Sequence, residues 1–213
     1  MNFSLEIGPK TDLDTLPSLK DVYITMLPGG DYKETAEQAA KLAKKLKIPI
    51  PFRHHDNPDY NELEKLKEFL KARGLRKGMT ESNPRKKLNA WLKEIKQKEK
   101  SFSLIYQILR SMKLAVYSGK ESNHFALGLE EYCHFTSPIR RYSDLVTHRV
   151  IKSIIEKKES SYSQDEIDGI ATICSDKDRE AEKIVRESSK YLSCKCAVQD
   201  IGNVFYGEVV AVL

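Results

Sequence analysis

Residues 130–149, EEYCHFTSPIRRYSDLVTHR, are the stretch around which the chain is organised. Ser137 can accept a hydrogen bond from a free backbone N–H of a first helical turn, and Pro138 suits the first helical position. A helix is therefore predicted to begin at this Ser-Pro pair. Five apolar residues then recur at helical spacing and are predicted to face the core: Ile139, Tyr142, Val146, Val150 and Ile154.

The opposite side of the predicted helix carries charge. Arg140 or Arg141 shares this face with Asp144 and His148, which follow at spacings of about one turn. A helix N-terminus with unpaired N–H groups beside two arginines is a site for an anion, and for a phosphate above all. The alternative is that one arginine pairs with Asp144 as a surface ion pair, which adds little to stability. The residues alone leave both interpretations open.

The same stretch carries a family resemblance. Residues 134–142, HFTSPIRRY, with Asp144-Leu145 and His148-Arg149, resemble the signature of the ribonuclease II/ribonuclease R (RNB) family. Further likeness lies in residues 109–112 (LRSM), 115–118 (AVYS) and 124–129 (HFALGL). Members of this family are hydrolytic exoribonucleases that work from the 3′ end. The resemblance implies single-stranded RNA as the partner, with no DNA specificity.

Seven residues form the site that the resemblance implies. It places Arg140 at the family's scissile-phosphate arginine, where a fixed bidentate donor stabilises charge that grows in the transition state. Backbone phosphates would be held by Arg141, Thr136 and Ser137. Three further residues would position the substrate or contact its sugars: Tyr132, His134 and Tyr142. For each of them a packing role is the alternative.

Mg²⁺ is the cofactor that the resemblance implies, because in this family clustered aspartates hold the metal that activates water. The sequence lacks such a cluster, and Asp12 and Asp14 form a lone D-x-D pair. The adjacent residues of His54-His55-Asp56 point in different directions, which disfavours a metal site there. Arg53 and the histidines after it instead resemble the segment of the RNB domain that follows a helix and enters the core. No metal ligand is assigned in this chain. Stand-alone activity is expected to be absent or weak. A chain that carries the missing half of the domain is one candidate partner, and the sequence leaves open whether it exists.

Composition fits a soluble globular protein of 213 residues, with 40% apolar and 31% charged residues. No run approaches the roughly twenty apolar residues of a membrane span, and the N-terminus lacks the basic and apolar regions of a signal peptide. A cytoplasmic location without membrane contact is predicted. The net charge of +5 fits a polyanion partner. Four scattered cysteines are expected to be reduced thiols: Cys133, Cys174, Cys194 and Cys196.

Apolar periodicity and caps predict an α+β, mainly helical fold with a small, incomplete sheet. Helices are expected over residues 31–47, 57–73, 83–95, 101–112 and 164–192, and a strand over 124–129. Tyr60 and Leu109 are assigned to inner helix faces and Lys87 to an outer face, and Ser101 is the predicted cap of the fourth helix. In the last helix the residues predicted to lie inward include Ile167, Ala171, Ala181, Ile184, Val185 and Leu192, and Asp178 belongs to its solvated outer face. Three segments are expected along the chain: a divergent N-terminal segment (1–30), a partial RNB ribonuclease domain (31–200) and the truncated start of an OB-type RNA-binding domain (201–213).

Three functions of different class remain open. The chain is a 3′–5′ exoribonuclease module, from a split, truncated or fragmentary gene product. Alternatively, it is a non-catalytic RNA-binding remnant that keeps the arginines but not the metal site. The third interpretation is a helical interaction protein in which the motif only packs. Salt-dependent RNA binding without Mg²⁺-dependent cleavage would favour the second function over the first.

Overall fold

A computed structural model describes residues 3–7, 22–26, 32–97 and 102–207. Four short strands and six helices follow one another along the described chain. The strands are β1 (Phe3–Ile7), β2 (Val22–Met26), β3 (Phe52–His54) and β4 (Val116–Ser118). The helices are α1 (Tyr32–Lys45), α2 (Tyr60–Ala72), α3 (Pro84–Ile95), α4 (Phe102–Arg110), α5 (Tyr142–Ile155) and α6 (Gln164–Ala197).

The chain divides into two compact units. Unit 1 comprises Met1–His55 and Ala115–Lys183, and unit 2 comprises Asp56–Leu114 and Ile184–Leu213. This division follows contacts within the chain, so the domain boundaries predicted from sequence stay a prediction. Among the described residues, no helix combines the length and the apolar character that crossing a membrane requires.

Unit 1 contains the strands of both small sheets. β1 pairs antiparallel with β2, and β3 pairs antiparallel with β4. Small residues of α1 bring this helix close to its neighbours, and the predicted inner face of α5 is buried from Val146 onward. The core cluster consists of Ala36, Ala39, Ala40, Leu42, Ala43, Ile50, Phe52, Cys133, Phe135, Val150, Ile151 and Ile154. The mainly helical prediction with a small sheet is confirmed.

Unit 2 contains α2, α3 and α4 together with the last part of α6, and the starts of α2 and α3 follow ordinary capping rules. Asp59 caps α2 and Asn83 caps α3, each accepting hydrogen bonds from two N–H groups of the first turn. After α2, Gly74 has a φ of 79°, a conformation that glycine adopts without steric cost. The buried stripes are Leu63, Leu66, Leu70, Leu88, Trp91, Ile95, Leu104 and Ile108. These stripes match the predicted inner faces.

Several sequence predictions were wrong at the edges of these elements. Tyr60 and Leu109, assigned to inner faces, are 73% and 62% exposed. Lys87, assigned to the outer face of α3, is buried and its Nζ lies 3.2 Å from a carboxylate oxygen of Glu64. A buried cation is tolerated there because it is paired. The predicted cap Ser101 lies outside the described residues.

The last part of α6 also departs from its predicted pattern. The first turns bury Ile167 and Ala171, but the predicted inward residues of the later turns, Ala181, Ile184, Val185 and Leu192, are exposed. Periodicity predicts which residues share a helix face, whereas burial also requires a neighbouring element.

The two additional strands predicted from sequence are not found in the described chain. Residues 124–129 form a turn rather than a strand, with single bridges at His124 and Leu129. Residues 203–207 have no strand conformation, and residues 208–213 of the predicted OB-type strand lie outside the described residues.

Candidate functional site

The Ser137-Pro138 pair opens a turn rather than a helix, so the predicted helix start was wrong. The N–H groups of Arg140 and Arg141 both donate to the carbonyl of Ser137, and α5 begins only at Tyr142. The backbone N–H of Ser137 donates to the carboxylate of Asp144 over 2.8 Å. This bond joins residues seven positions apart, beyond the reach of a capping signal, which acts within one helical turn.

Asp144 is the centre of this turn. Its carboxylate also accepts hydrogen bonds from the Arg141 guanidinium at 2.9 Å and from the Ser143 hydroxyl at 3.2 Å. The side chain is fully buried, so the predicted surface position of Asp144 was wrong, although the predicted arginine pair exists. A buried carboxylate with three donors fixes the geometry of the arginine beside it.

The turn pushes three sequence-predicted residues outward. Ile139, predicted to face the core, is fully exposed, and Tyr142 is 50% exposed. Arg140 is exposed as well. Thr136 and Ser137 are partly buried at the start of the turn. The structure therefore brings Arg140 and Tyr142 to the surface at the N-terminal end of α5, while Arg141 between them is partly buried.

A cavity of about 310 Å³ lies in unit 1 beside this turn. Its wall on one side is formed by β4, the turn and the start of α5 through Tyr117, Arg140, Arg141, Tyr142 and Ser143. The other wall is α6, with Ile173, Cys174, Lys177, Asp178 and Ala181. Three cations and one carboxylate line the cavity, but Asp144 pairs with Arg141, and Glu180 pairs with Lys177 at 2.6 Å. The excess positive charge therefore rests mainly on Arg140, and it favours an anion.

The single carboxylate of the cavity is already engaged by a further arginine. Arg53 of β3 binds Asp178 of α6 with Nη2 2.7 Å from a carboxylate oxygen, and its guanidinium lies 4.5 Å from the centre of the Tyr117 ring. Arg53 Nη1 and Arg141 Nε are buried and have no hydrogen-bond partner among the described residues. Buried donors of this kind are costly unless a further group pairs with them.

Arg53, Tyr117, Lys177 and Asp178 are site residues that sequence reasoning did not assign. The segment around Arg53 carried a weak signal, since an arginine followed by histidines resembles a family segment that enters the core. Asp178 carried none, because its partner Arg53 is 125 residues away along the chain. Its charge instead matched the pattern of a solvated helix face.

His134 and Tyr132 lie beside the cavity residues within a set of ring contacts. The Tyr117 hydroxyl and His134 Nδ1 are 2.7 Å apart, and the Tyr132 and His134 rings meet edge-on at 5.8 Å. Burial, followed by the charges of Arg141 and Arg53, lowers the pKa of His134 to about 3. His134 is therefore neutral at pH 7, and both residues make packing contacts.

The described residues do not fit a Mg²⁺ site. Among them, no group of three His, Cys, Asp or Glu side chains is placed to hold a metal ion. His54 Nδ1 is 3.1 Å from the carbonyl oxygen of Asn123, and His55 stacks on His124 with ring centres 5.1 Å apart. Asp12 and Asp14 lie outside the described residues.

Comparison with known proteins gives a consistent family. The RNB domain matches residues 35–157. Ribonuclease R of Buchnera aphidicola subsp. Schizaphis graminum is 36% identical over 176 residues, covering 80% of this chain and 24% of that protein. Ribonuclease R of Escherichia coli is 33% identical over 186 residues, covering 82% of this chain and 23% of that protein.

A solved structure agrees with these relatives. Mycoplasma genitalium RNase R, in complex with ribose methylated single-stranded RNA, superimposes with a TM-score of 0.77 at 27% identity. The match covers 85% of this chain and 30% of that one. This chain thus spans about a quarter of the length of the curated relatives it matches. By sequence and by fold, the chain belongs to the RNB domain family.

Proposed function

We propose that this chain binds single-stranded RNA at the arginine-lined cavity of unit 1, as part of a 3′–5′ exoribonuclease module. The observation that carries the proposal is the cavity itself, where Arg140, Arg141 and Lys177 surround a space of about 310 Å³. A phosphodiester is the anion of RNA that suits such a set of donors. We expect the protein to act in the cytoplasm.

Each arginine has a separate role in this proposal. Arg140, which is exposed, is proposed as the bidentate donor that would stabilise charge developing on a scissile phosphate. Arg141 is held by Asp144 and would bind a neighbouring backbone phosphate. Thr136 and Ser137 would contribute polar groups at the same turn, while Tyr142 would contact the sugar. Contacts of this kind carry no base information, so little sequence preference follows.

Hydrolysis is the step for which this chain provides least. In RNB enzymes, carboxylate-bound Mg²⁺ would activate the attacking water and stabilise the leaving oxygen. The described residues contain no suitable group of ligands. We therefore propose that this polypeptide alone hydrolyses RNA weakly or not at all, and that a chain carrying the missing carboxylates would restore activity.

A second candidate function rests on that same observation. Without its own metal ligands, the cavity would serve a non-catalytic protein that holds RNA. This candidate shares the RNA site with the first and differs only in chemistry. If RNA does not bind, the remaining interpretation is a helical interaction protein in which the arginines only pack.

Binding and cleavage on one substrate test the proposal. We expect a 5′-labelled single-stranded RNA to bind in EDTA with an affinity that falls steeply with salt, because each bound phosphate releases counterions. Arg140→Ala should weaken binding and reduce the slope of log affinity against log salt by about 0.7. Arg179→Ala is the matched control, since this exposed arginine of α6 does not line the cavity and pairs with Asp176 at 3.5 Å.

Three results would decide between the candidates. Binding without shortening in Mg²⁺ supports an RNA site that needs carboxylates from elsewhere. Stepwise shortening from the 3′ end that is lost in Arg140→Ala would show that the chain supplies its own ligands, and the proposed inactivity would be wrong. Absence of binding at low salt would overturn the RNA site altogether.

A further inference from the structure

Helix α4 of unit 2 has an unusual outer face. Its sequence, FSLIYQILR, contains no carboxylate, and its only charged residue is Arg110. Phe102, Tyr106 and Arg110 follow one another at intervals of four, so they lie on one side of the helix. Leu104 and Ile108 supply the buried side. The aromatic residues are thus additional to what the packing of α4 requires.

These three side chains form a continuous stack that faces solvent. The rings of Phe102 and Tyr106 are nearly parallel, with centres 6.4 Å apart and an angle of 17° between their planes. The Arg110 guanidinium lies 5.9 Å from the centre of the Tyr106 ring. Phe102 is 76% exposed and Tyr106 is 39% exposed. Planar groups of this kind present faces on which other planar groups stack.

A cavity of about 300 Å³ adjoins the arginine end of this stack. Leu66 and Phe69 of α2 give it apolar surface, and Gln107, Arg110 and Ser111 give it polar groups. Glu62 and Lys65 also line it, but they pair with each other at 2.7 Å. With those two charges offset, Arg110 sets the charge of the cavity, which favours an anionic ligand.

We propose that the Phe102–Tyr106–Arg110 stack and its cavity are a second binding site for single-stranded RNA, which receives unpaired bases by stacking. Aromatic faces beside a cation are the usual means by which proteins hold single strands without reading sequence. A guanidinium stacked on the end of the aromatic pair would meet both a base and a phosphate. This inference extends the proposed function, since it assumes the same RNA partner.

Variants that separate ring stacking from apolar bulk test this site. In Phe102→Leu/Tyr106→Leu the face stays apolar but loses both rings, whereas Phe102→Tyr/Tyr106→Phe keeps them. For a single-stranded RNA carrying 2-aminopurine, measured in EDTA, we expect roughly tenfold weaker binding by the leucine variant. The ring-exchange variant should bind like the unmodified protein. The salt slope should not change, because the lost contacts are uncharged.

Photocrosslinking locates the contact directly. Trypsin releases residues 101–110 as one peptide, since Lys100 precedes it and Arg110 ends it. RNA containing 4-thiouridine should crosslink to this peptide in the unmodified protein and not in the leucine variant. Emission of Trp91, the only tryptophan and a fully buried residue of α3, verifies that the variants remain folded.

The possible outcomes separate this site from the cavity of unit 1. If Arg140→Ala weakens binding but the leucine variant does not, the second site is wrong and the proposed function stands. If the leucine variant weakens binding and Arg140→Ala does not, the second site stands and the role of the unit 1 cavity is wrong. Unchanged RNA binding together with self-association that the leucine variant abolishes would assign this face to a protein contact and overturn the inference.

Discussion

Asn83-Pro84 and Ser137-Pro138 carry the same helix-start signal, but only the first opens a helix. At α3, the Asn83 side chain accepts hydrogen bonds from the N–H groups of Arg85 and Lys86 at 3.1 Å. At residue 137 the competing contact comes from Asp144, which binds the Ser137 backbone instead. A capping signal therefore decides structure only where no tertiary partner takes over its backbone groups.

The two units that contain these helix-start signals also differ in the polarity of their interiors. Apart from Lys87 and Ser103, the buried polar side chains that the structure describes lie in unit 1. Unit 2 buries mainly the apolar stripes of three amphipathic helices. Buried polar groups require specific partners, whereas apolar stripes require only a neighbouring surface. The unit with the more demanding interior is also the one that holds the arginine-lined cavity.

The largest effect on stability is expected when the carboxylate of Asp144, on which the turn at Ser137 depends, is removed. Asp144→Ala would leave the Arg141 guanidinium and the Ser137 N–H without their buried acceptor. Loss of one partner from a buried ion pair costs about 3–5 kcal/mol. We expect a decrease of that size in the free energy of unfolding, measured by urea denaturation and circular dichroism. A decrease below about 1 kcal/mol would show that the turn forms without Asp144.

An intermediate effect is expected from pH, because the turn lies beside His134, whose burial and positive surroundings both disfavour protonation. The folded-state pKa of His134, about 3, lies below its ordinary value of 6.5. The unfolded chain therefore binds this proton first as pH falls. Stability is retained above about pH 6.5 and declines toward pH 3, by at most about 1.4 kcal/mol per pH unit for one group.

Burial similarly lowers the pKa of His124, to about 4. Unit 2 contains no histidine in its sequence, so the pH effect of histidines belongs to unit 1. His134→Gln should flatten the decline in stability between pH 6.5 and pH 4, measured by urea denaturation at each pH. His54→Gln is the control for removal of an imidazole elsewhere in unit 1. An unchanged pH profile in His134→Gln would contradict the assigned cause.

The smallest effects on stability are expected from substitutions in Asn83-Pro84 and Ser137-Pro138 themselves. Asn83→Ala removes a side chain that caps α3 and should lower the free energy of unfolding by about 1 kcal/mol. Ser137→Ala should change it by less than about 0.5 kcal/mol, because alanine keeps the backbone N–H that Asp144 binds. Thermal or urea unfolding of both variants gives the comparison. Equal losses would mean that the Ser137 hydroxyl has a capping role after all.

Much of the fold was predictable because it depends on local sequence. Apolar spacing and caps identified α1, α2, α3, α4 and α6 and most of their buried stripes, since these features act between residues three or four positions apart. The same local rules failed at Ile139 and at Lys87. Ile139 was carried outward by a turn, and Lys87 was buried by its pairing with Glu64 on another helix.

The sequence by itself determined the family, through HFTSPIRRY and the residues after it, and it predicted Arg140 and Arg141 as candidate site residues, both of which line the cavity of unit 1. Only the tertiary structure decided the cavity, in which α6 supplies Lys177 and Asp178 opposite that motif. The physical reason is distance along the chain. Helix signals act over a few residues, whereas the contact of Arg53 with Asp178 joins side chains 125 positions apart and exists only once the chain has folded.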